Sequence, residues 1–358
     1  MNRTNPWKKL ERLAQGAHSS DLVPVLGSGF VTQAVLEGAR MMAGSASERR
    51  GVTPGIEGSL RSPRPHGASG PPSSAKRPRP VDWYALLEGV AKEFQCVRAA
   101  SMIERDVPGQ TTLLWDAMLA ELAQRSPRTT SAHAWEAKLR RAVARRLRED
   151  TVTLELSRSF VDSFLRLGWD DVLSYNFDRV LLTAGARPTH AASGAAKRAS
   201  LFAESSGARI WFPHGHQADP DSIVLGAHAY GVRIAAMQAA FDSHARKPLP
   251  RGARKLDTWV ATALERPLLF MGLSLTREEW TIWWLLTQRA RFLARRPQTR
   301  RPAAFVFARR PSSHERLETH AAFQTLARAC ELLDLTLLEF SDYASGWKKV
   351  RAAIGWPV

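Results

Sequence analysis

The sequence predicts an α/β protein with a Rossmann-like, doubly wound and mostly parallel sheet. Two observations support this prediction. Short apolar runs alternate with helical segments from Asp171 onward, which is typical of strand–helix–strand units. The first apolar run, residues 22–26, leads directly into Gly27-Ser28-Gly29 and then into a helix-compatible segment. A strand, a turn of small residues and a helix in this order bring backbone amides close to a bound phosphate.

The later strands and helices follow from the same alternation. Residues 267–271 read PLLFM, a near-continuous apolar run expected of a strand that is covered on both faces. The other predicted strands are 171–175, 210–212, 222–225, 303–307 and 335–340. The helices predicted between them are 231–244, 253–264, 278–294, 314–333 and 344–354.

Residues 43–80 differ from the rest of the chain in composition. They are dense in Gly, Ser, Pro and Arg and contain almost no aliphatic side chains. Such a segment buries too little apolar surface to offset the entropy of ordering it, so we expect a disordered insertion. The 42 residues before it are too few for a core of their own. We therefore interpret residues 1–358 as a single domain that the insertion interrupts.

Residues 81–167 predict a helical subdomain inserted within the fold. Leu87, Val90 and Phe94 recur at spacings of three and four, which indicates one apolar helix face. Further helices are predicted at 111–124, 132–148 and 151–167. The helix at 132–148 is rich in Arg, which we interpret as a solvated face over an apolar one.

Charge and composition limit the function classes. The formal net charge of +17 makes nucleic acid, anionic cofactors and acidic proteins plausible partners. No apolar run is long enough for a membrane span and the start has no apolar signal core, so we expect a cytoplasmic protein without membrane contact. Two cysteines, Cys96 and Cys330, are too few for a four-thiolate zinc site, and we expect them to be buried and no metal to bind.

Polar or small residues follow four of the predicted strands. Ligands of open parallel sheets bind at the carboxyl ends of the strands, so these residues form one candidate site. They are Gly27, Ser28 and Gly29 after the first strand, Asn176 and Asp178 after 171–175, His214 after 210–212, and Gly272 and Ser274 after 267–271.

Each of these residues also has a purely structural interpretation. The glycines fit a plain strand-to-helix turn, Asn176 and Asp178 fit a helix cap, and Ser274 fits a cap of the next helix. We interpret the neighbouring His216 as structural or solvent-facing. Trp280, Trp283 and Trp284 stand at helical spacing and are expected in the core or in a subunit interface.

The chain resembles the sirtuin-like NAD-binding family, in particular its bacterial NAD-hydrolysing branch in anti-phage defence. Its motifs lie in the family's order and are LGSGF, WYALL at 83–87, SYNFD, PHGH, VLGAHAY and LLFMGLSLTREEW. It departs from the family at Phe30, at Ala229 and at Arg277, where small or acidic residues are usual.

The resemblance implies a Rossmann-type fold that binds NAD as a substrate. It implies that Gly27, Ser28 and Gly29 cradle the pyrophosphate and that Asn176 and Asp178 border the nicotinamide ribose. It also implies that His214 is the catalytic base and that Gly272 and Ser274 contact the adenosine half. Family members often act as homo-oligomers or with a partner such as an ATPase or an Argonaute-type protein.

The implied chemistry is cleavage of the nicotinamide–ribose bond. This step builds positive charge on the ribose, as in glycoside hydrolysis, and a carboxamide, a carboxylate and a base would assist it. The sequence therefore predicts an NAD glycohydrolase that depletes NAD during anti-phage defence. Two alternatives stay open, a protein ADP-ribosyltransferase and a catalytically degenerate module that binds nucleotides or nucleic acid.

Overall fold

The computed structural model of the protein describes residues 5–16, 19–50, 83–101, 110–125, 131–149, 151–246, 256–273, 275 and 279–357. Within these ranges the strands are β1 (Val23–Leu26), β2 (Asp171–Ser174), β3 (Thr189–His190), β4 (Leu201–Ser205), β5 (Ala208–Trp211), β6 (Leu268–Met271), β7 (Ala304–Arg309) and β8 (Thr336–Phe340). They form one sheet in the order β3-β4-β5-β2-β1-β6-β7-β8.

Twelve α-helices lie in the same ranges. They are α1 (Pro6–Ala14), α2 (Ser28–Arg50), α3 (Trp83–Glu93), α4 (Val97–Ser101), α5 (Gln110–Arg125), α6 (Ala132–Glu149), α7 (Thr151–Leu165), α8 (Gly226–Arg246), α9 (Trp259–Glu265), α10 (Trp280–Ala294), α11 (Leu317–Leu332) and α12 (Tyr343–Ala353).

The predicted α/β fold class is confirmed. Strands β5, β2, β1, β6, β7 and β8 pair in parallel, and β1 lies at the centre between β2 and β6. All four residues of β1 are buried, as expected for a strand with neighbours on both sides and helices on both faces. The strands predicted around 22–26, 171–175, 210–212, 267–271, 303–307 and 335–340 correspond to these six.

Helices cover both faces of the sheet. Leu26 points to one face, where it packs in a core cluster with Phe30 of α2 and Phe164 of α7. Val25 points to the other face and packs in a second cluster with residues of α9 and α10. Because side chains alternate along a strand, one short apolar run supplies both cores.

One predicted strand is wrong. Residues 222–225 do not pair with the sheet: Pro220–Ser222 is a 3₁₀ turn, and the chain then runs extended into α8. The hydroxyl of Ser222 donates to the carbonyl oxygen of Asp219 at 2.5 Å and accepts from the amide of His216 at 2.9 Å. These local hydrogen bonds hold the turn, and the apolar residues after it pack on helices instead.

The antiparallel edge of the sheet was not predicted. Strands β4 and β5 form a hairpin whose two-residue loop is Ser206-Gly207, with φ values of 51° and 84°. Positive φ at both loop positions matches the twist of the adjoining strands. The Ser-Gly pair between two apolar runs is the signal that could have revealed this hairpin.

Helices α3 to α6 build a third core cluster at one end of the sheet. Its members include Leu87, Trp115 and Val143, together with Phe177 and Leu225 from the loops that follow β2 and β5. Helix α7 packs instead on α2, in the cluster that covers the sheet. Helices α3 to α6 thus cap the end of the sheet at which β2 and β5 terminate.

The structure bears on two further expectations, one for the basic helix α6 and one for the segment 43–80. On α6, Leu139, Val143 and Leu147 are buried, which confirms the apolar side beneath the basic residues. Helix α2 continues to Arg50, eight residues into the segment 43–80 that we expected to be a disordered insertion. Residues 51–80 of that segment lie outside the described residues.

Among the described helices, none is both long and apolar enough to cross a membrane.

Candidate active site

A cavity of about 140 Å³ opens at the carboxyl ends of the central strands. It lies where the loops after β1, β2, β5 and β6 meet the helical cap. The residues that line it are Gly27, Ser28, Leu87, Thr111, Tyr175, Asn176, Phe177, His214, Val224, Leu225, Tyr230, Gly272, Leu273 and Glu279. Five of the residues predicted from strand ends therefore face one space.

The glycines after β1 and β6 allow two loops to pack backbone against backbone. The amide of Gly29 donates to the carbonyl oxygen of Gly272 at 3.0 Å. A Cβ on Gly27 would lie 2.5 Å from that same oxygen, and a Cβ on Gly272 would lie 2.2 Å from the amide nitrogen of Phe30. Gly272 also has φ +70°, which favours glycine.

This packing changes what the turn after β1 offers to a ligand. The amide of Gly27 donates to the carbonyl oxygen of Met271 at 3.1 Å, and the amide of Gly29 donates to Gly272. Both amides are thus engaged within the protein. A phosphate bound here would meet Ser28, which is exposed and opens helix α2. A helix N-terminus is favourable for an anion.

Asn176 and Asp178 occupy different positions after β2. Asn176 is buried and lines the cavity. Asp178 is not among the described residues that line the cavity; its carboxylate accepts a hydrogen bond from the amide of Val180 at 2.9 Å. This bond closes a local turn, and no helix begins near Arg179, so the helix-cap interpretation is wrong.

His214 lies in a shell of aromatic rings. Its ring is edge-on to Tyr175, at a centroid distance of 4.8 Å, and to Tyr230, at 5.5 Å. Phe177 stacks beside it at 6.2 Å. The Nε2 atom hydrogen-bonds to the Thr281 hydroxyl at 2.8 Å, which fixes the orientation of the ring.

Burial sets the protonation state of this histidine. It lowers the pKa of His214 to about 3, and the positive charge of Arg233 lowers it further in the same direction. The pKa of this histidine thus departs from the near-neutral value of a histidine in water. His214 is neutral at pH 7, with a lone pair on one ring nitrogen.

Two further residues, Glu279 and Thr281, belong to the site although the sequence did not single them out as members. Glu279 lines the cavity, and its negative charge, after burial, raises the pKa values of Tyr175 and Tyr230. Thr281 is the hydrogen-bond partner of His214. Glu279 stands two residues after Arg277, the position at which the chain lacks the acidic residue that is usual in the family. A carboxylate so close to the expected position is the sequence signal that could have identified Glu279.

The remaining predicted residues have these outcomes. Ser274 lies outside the described residues. His216 is buried, and its Nδ1 accepts a hydrogen bond from the amide of Ala218 at 3.1 Å, in agreement with a structural role. Trp280 is 53% exposed, whereas Trp283 and Trp284 are partly buried against the second core cluster. Trp280 is therefore not a core residue within this chain.

Cys96 and Cys330 are both buried free thiols, as expected. Burial raises the pKa of Cys330 to about 12 and also raises that of Cys96, so neither is a thiolate at pH 7. In the part of the chain that the structure describes, no three or more His, Cys, Asp or Glu side chains are grouped so that they could hold a metal ion.

Comparison with known proteins agrees with the resemblance. No curated protein sequence matches the chain. Residues 170–327 match a family model described as a SIR2-like domain. This range spans β2 to α11 and contains Asn176, His214 and Gly272, and the match implies NAD binding. Residues 170–327 are therefore similar to a SIR2-like domain, the family that the sequence motifs resemble.

Proposed function

We propose that the protein is an NAD glycohydrolase, which cleaves NAD to ADP-ribose and nicotinamide. The observation that supports this most is the convergence of Ser28, Asn176, His214 and Glu279 on one cavity at the carboxyl ends of the strands. The cavity combines an anion-favouring helix N-terminus with a carboxamide, a neutral imidazole and a carboxylate. These groups suit a substrate with a pyrophosphate and a scissile N-glycosidic bond.

The polar character of the cavity also fits NAD. The hydroxyl of Tyr175 is buried and has no hydrogen-bond partner among the described residues, although Tyr175 lines the cavity. A buried hydroxyl without a partner is costly, and a hydroxyl or amide of the substrate would satisfy it. The apolar residues Leu87, Val224 and Leu225 supply a surface for a nicotinamide ring.

The reaction breaks the bond between C1′ of the ribose and the nicotinamide nitrogen. The electron pair of that bond leaves with nicotinamide, which departs neutral, and positive charge develops on the ribose. A water oxygen then bonds to C1′ and its proton passes to a base. The net change is one water consumed for one glycosidic bond broken.

We assign three roles in this reaction. The Glu279 carboxylate stabilises the positive charge on the ribose, because opposite charges interact strongly in a partly buried site. The Asn176 carboxamide orients the ribose or the attacking water. With Nε2–H donating to the Thr281 hydroxyl, the lone pair on Nδ1 of His214 takes the proton from water.

The test is nicotinamide release from NAD by the purified chain and its variants. We expect His214→Ala and Asn176→Ala each to lower the rate by roughly 10²–10⁴-fold, the usual loss for such groups. His228→Ala is the matched control, because His228 is an exposed histidine on α8. Melting temperatures of all variants separate loss of chemistry from loss of fold.

Two results would contradict the proposal. One is wild-type turnover in His214→Ala and Asn176→Ala. The other is the absence of nicotinamide release from the wild type together with no NAD binding. Binding without release would instead favour the degenerate nucleotide-binding module, and transfer of ADP-ribose to a protein acceptor would favour the transferase alternative.

The physiological role and partners that we propose come from the family resemblance. They are depletion of NAD during anti-phage defence and activation through a homo-oligomer or through a partner such as an ATPase or an Argonaute-type protein. Exposed Trp280, whose ring lies 6.4 Å from that of Tyr230 in the cavity wall, is a place where such a contact would reach the site.

A further inference from the structure

A second cavity, of about 360 Å³, lies beside the antiparallel edge of the sheet. Its residues come from the segment before β4, the 3₁₀ turn after β5 and helix α8. They are His190, Lys197, Arg198, Leu201, Asp219, Asp221, Ser222 and Arg233. Its volume falls in the range of small-molecule sites, about 300–1,000 Å³.

The floor of this cavity holds a buried cation. Arg233 is only 2% exposed. Its guanidinium donates to the carbonyl oxygens of Arg198 and Ser222, the latter at 2.9 Å, and no carboxylate is bonded to it among the described residues. Its Nε–H is buried without a hydrogen-bond partner in the same part of the chain. A buried cation with an unused donor favours an anionic ligand.

The positive charge extends to the rim of the cavity. Lys197 and Arg198 are exposed on the 3₁₀ helix Gly194–Ala199, and both line the same space. Burial lowers the pKa of Arg233 to about 9, and the nearby charge of Arg198 contributes to the same shift. Three cations that face one cavity repel one another, and a bound anion would relieve that repulsion.

The opposite wall is acidic. Asp219 and Asp221 line the cavity, and the Asp219 carboxylate lies 3.8 Å from Nε2 of His190. Carboxylates repel a phosphate but accept hydrogen bonds from hydroxyl groups. A ligand that suits both walls therefore has a phosphate at one end and hydroxyls at the other.

We propose that this cavity is a second ligand site, separate from the candidate active site, and that it binds a sugar phosphate of the kind found in nucleotides. The phosphate lies between Arg233, Arg198 and Lys197. The sugar hydroxyls donate to Asp219 and Asp221. This site does not depend on the proposed NAD cleavage.

The test is calorimetric titration of the full chain with ribose 5-phosphate, inorganic phosphate and ribose. We expect one ribose 5-phosphate per chain, weaker binding of inorganic phosphate and no binding of ribose. Arg198→Ala should weaken both phosphate-containing ligands by about tenfold or more, the loss expected for one charge-assisted hydrogen bond. Asp221→Asn should leave the affinity for inorganic phosphate unchanged or higher and weaken that for ribose 5-phosphate.

Two control variants complete the design. Arg328→Ala removes an exposed arginine of α11 that does not line the second cavity, and it should leave all affinities unchanged. Asn176→Ala alters the candidate active site and should also leave ribose 5-phosphate binding unchanged. Absence of binding, equal affinity for inorganic phosphate and ribose 5-phosphate, or an Arg198→Ala affinity equal to that of the wild type would each overturn the proposal.

Discussion

At the scale of single residues, the environment of His214 decides how the candidate site can work. A histidine in water titrates near neutrality, but this ring is enclosed by Tyr175, Phe177 and Tyr230. The aromatic shell removes water, and desolvation disfavours the imidazolium form. The sequence specified a histidine after β5, whereas only packing determined its protonation state.

The pH profile of catalysis tests this state. Because kcat/KM reports the pKa values of the free enzyme, and that of His214 is about 3, kcat/KM for NAD should be constant from about pH 8 down to about pH 5.5. Nicotinamide release measured across this range checks the prediction. A fall centred near pH 6.5 would show that His214 titrates normally or that another histidine is the base.

Thr281 is predicted to be a positioning residue. Thr281→Val keeps the shape of the side chain but removes the hydrogen bond to Nε2 of His214, so ring orientation and tautomer are no longer fixed. We expect kcat to fall by roughly tenfold with little change in KM, since Thr281 is fully buried behind His214 and does not line the cavity. Thr281→Ser should restore kcat, and a change confined to KM would contradict the role.

At the scale of elements, the site depends on how closely two strand-to-helix connections approach each other. The loops after β1 and β6 meet through Gly27, Gly29 and Gly272, and this contact brings the start of α2 beside the rest of the cavity. The resemblance assigned Gly27 and Gly29 to the pyrophosphate and Gly272 to the adenosine half. The structure gives Gly29 and Gly272 a packing role as well.

Two Gly→Ala variants test whether Gly272 is needed for the contact between the two loops, with a helical glycine as the control. Gly272→Ala forces a left-handed conformation and a Cβ 2.2 Å from the Phe30 nitrogen, so it should cost more than about 2 kcal/mol of unfolding free energy. Gly231→Ala, inside helix α8 with no atom within 4 Å of the added Cβ, should instead stabilise by about 1 kcal/mol. Urea unfolding of both variants measures the difference, and equal effects would contradict the packing role.

At the scale of the whole molecule, buried titratable groups make stability depend on pH. Burial lowers the pKa of His214 to about 3 and that of His216 to about 4. Burial raises the pKa of Glu265, but hydrogen bonds from His244 and Arg296 outweigh this and lower it to about 2. In each case the unfolded chain binds protons at a higher pH than the folded chain, so acid favours unfolding.

The melting temperature should therefore fall as the pH drops from 7 to 5. Once the pH is below the unfolded-state pKa of about 6.5, each buried histidine lowers the free energy of unfolding by about 1.4 kcal/mol per pH unit. His216→Gln removes one of the histidines that bind a proton only on unfolding. The melting temperature of this variant should therefore fall less steeply than that of the wild type between pH 6.5 and 5. Parallel melting curves for wild type and His216→Gln would contradict the prediction.

The sequence alone determined the parallel strands of the sheet and the approximate place of the candidate site. Continuous apolar runs such as PLLFM indicate buried parallel strands, and the ligands of such sheets bind where strands end, so Asn176, His214 and Gly272 could be assigned from strand boundaries. Local patterns suffice here because strand position and chain direction are local properties.

Only the tertiary structure decided which neighbours these residues have. Asp178 accepts a local hydrogen bond, Glu279 lines the cavity from the position just before helix α10, and Arg233 of α8 is buried at the second cavity. The positions of Glu279 and Arg233 depend on how helices pack across the sheet rather than on any short motif. The identity of the chemical groups was therefore in the sequence, whereas their burial, pKa values and partners were set by packing.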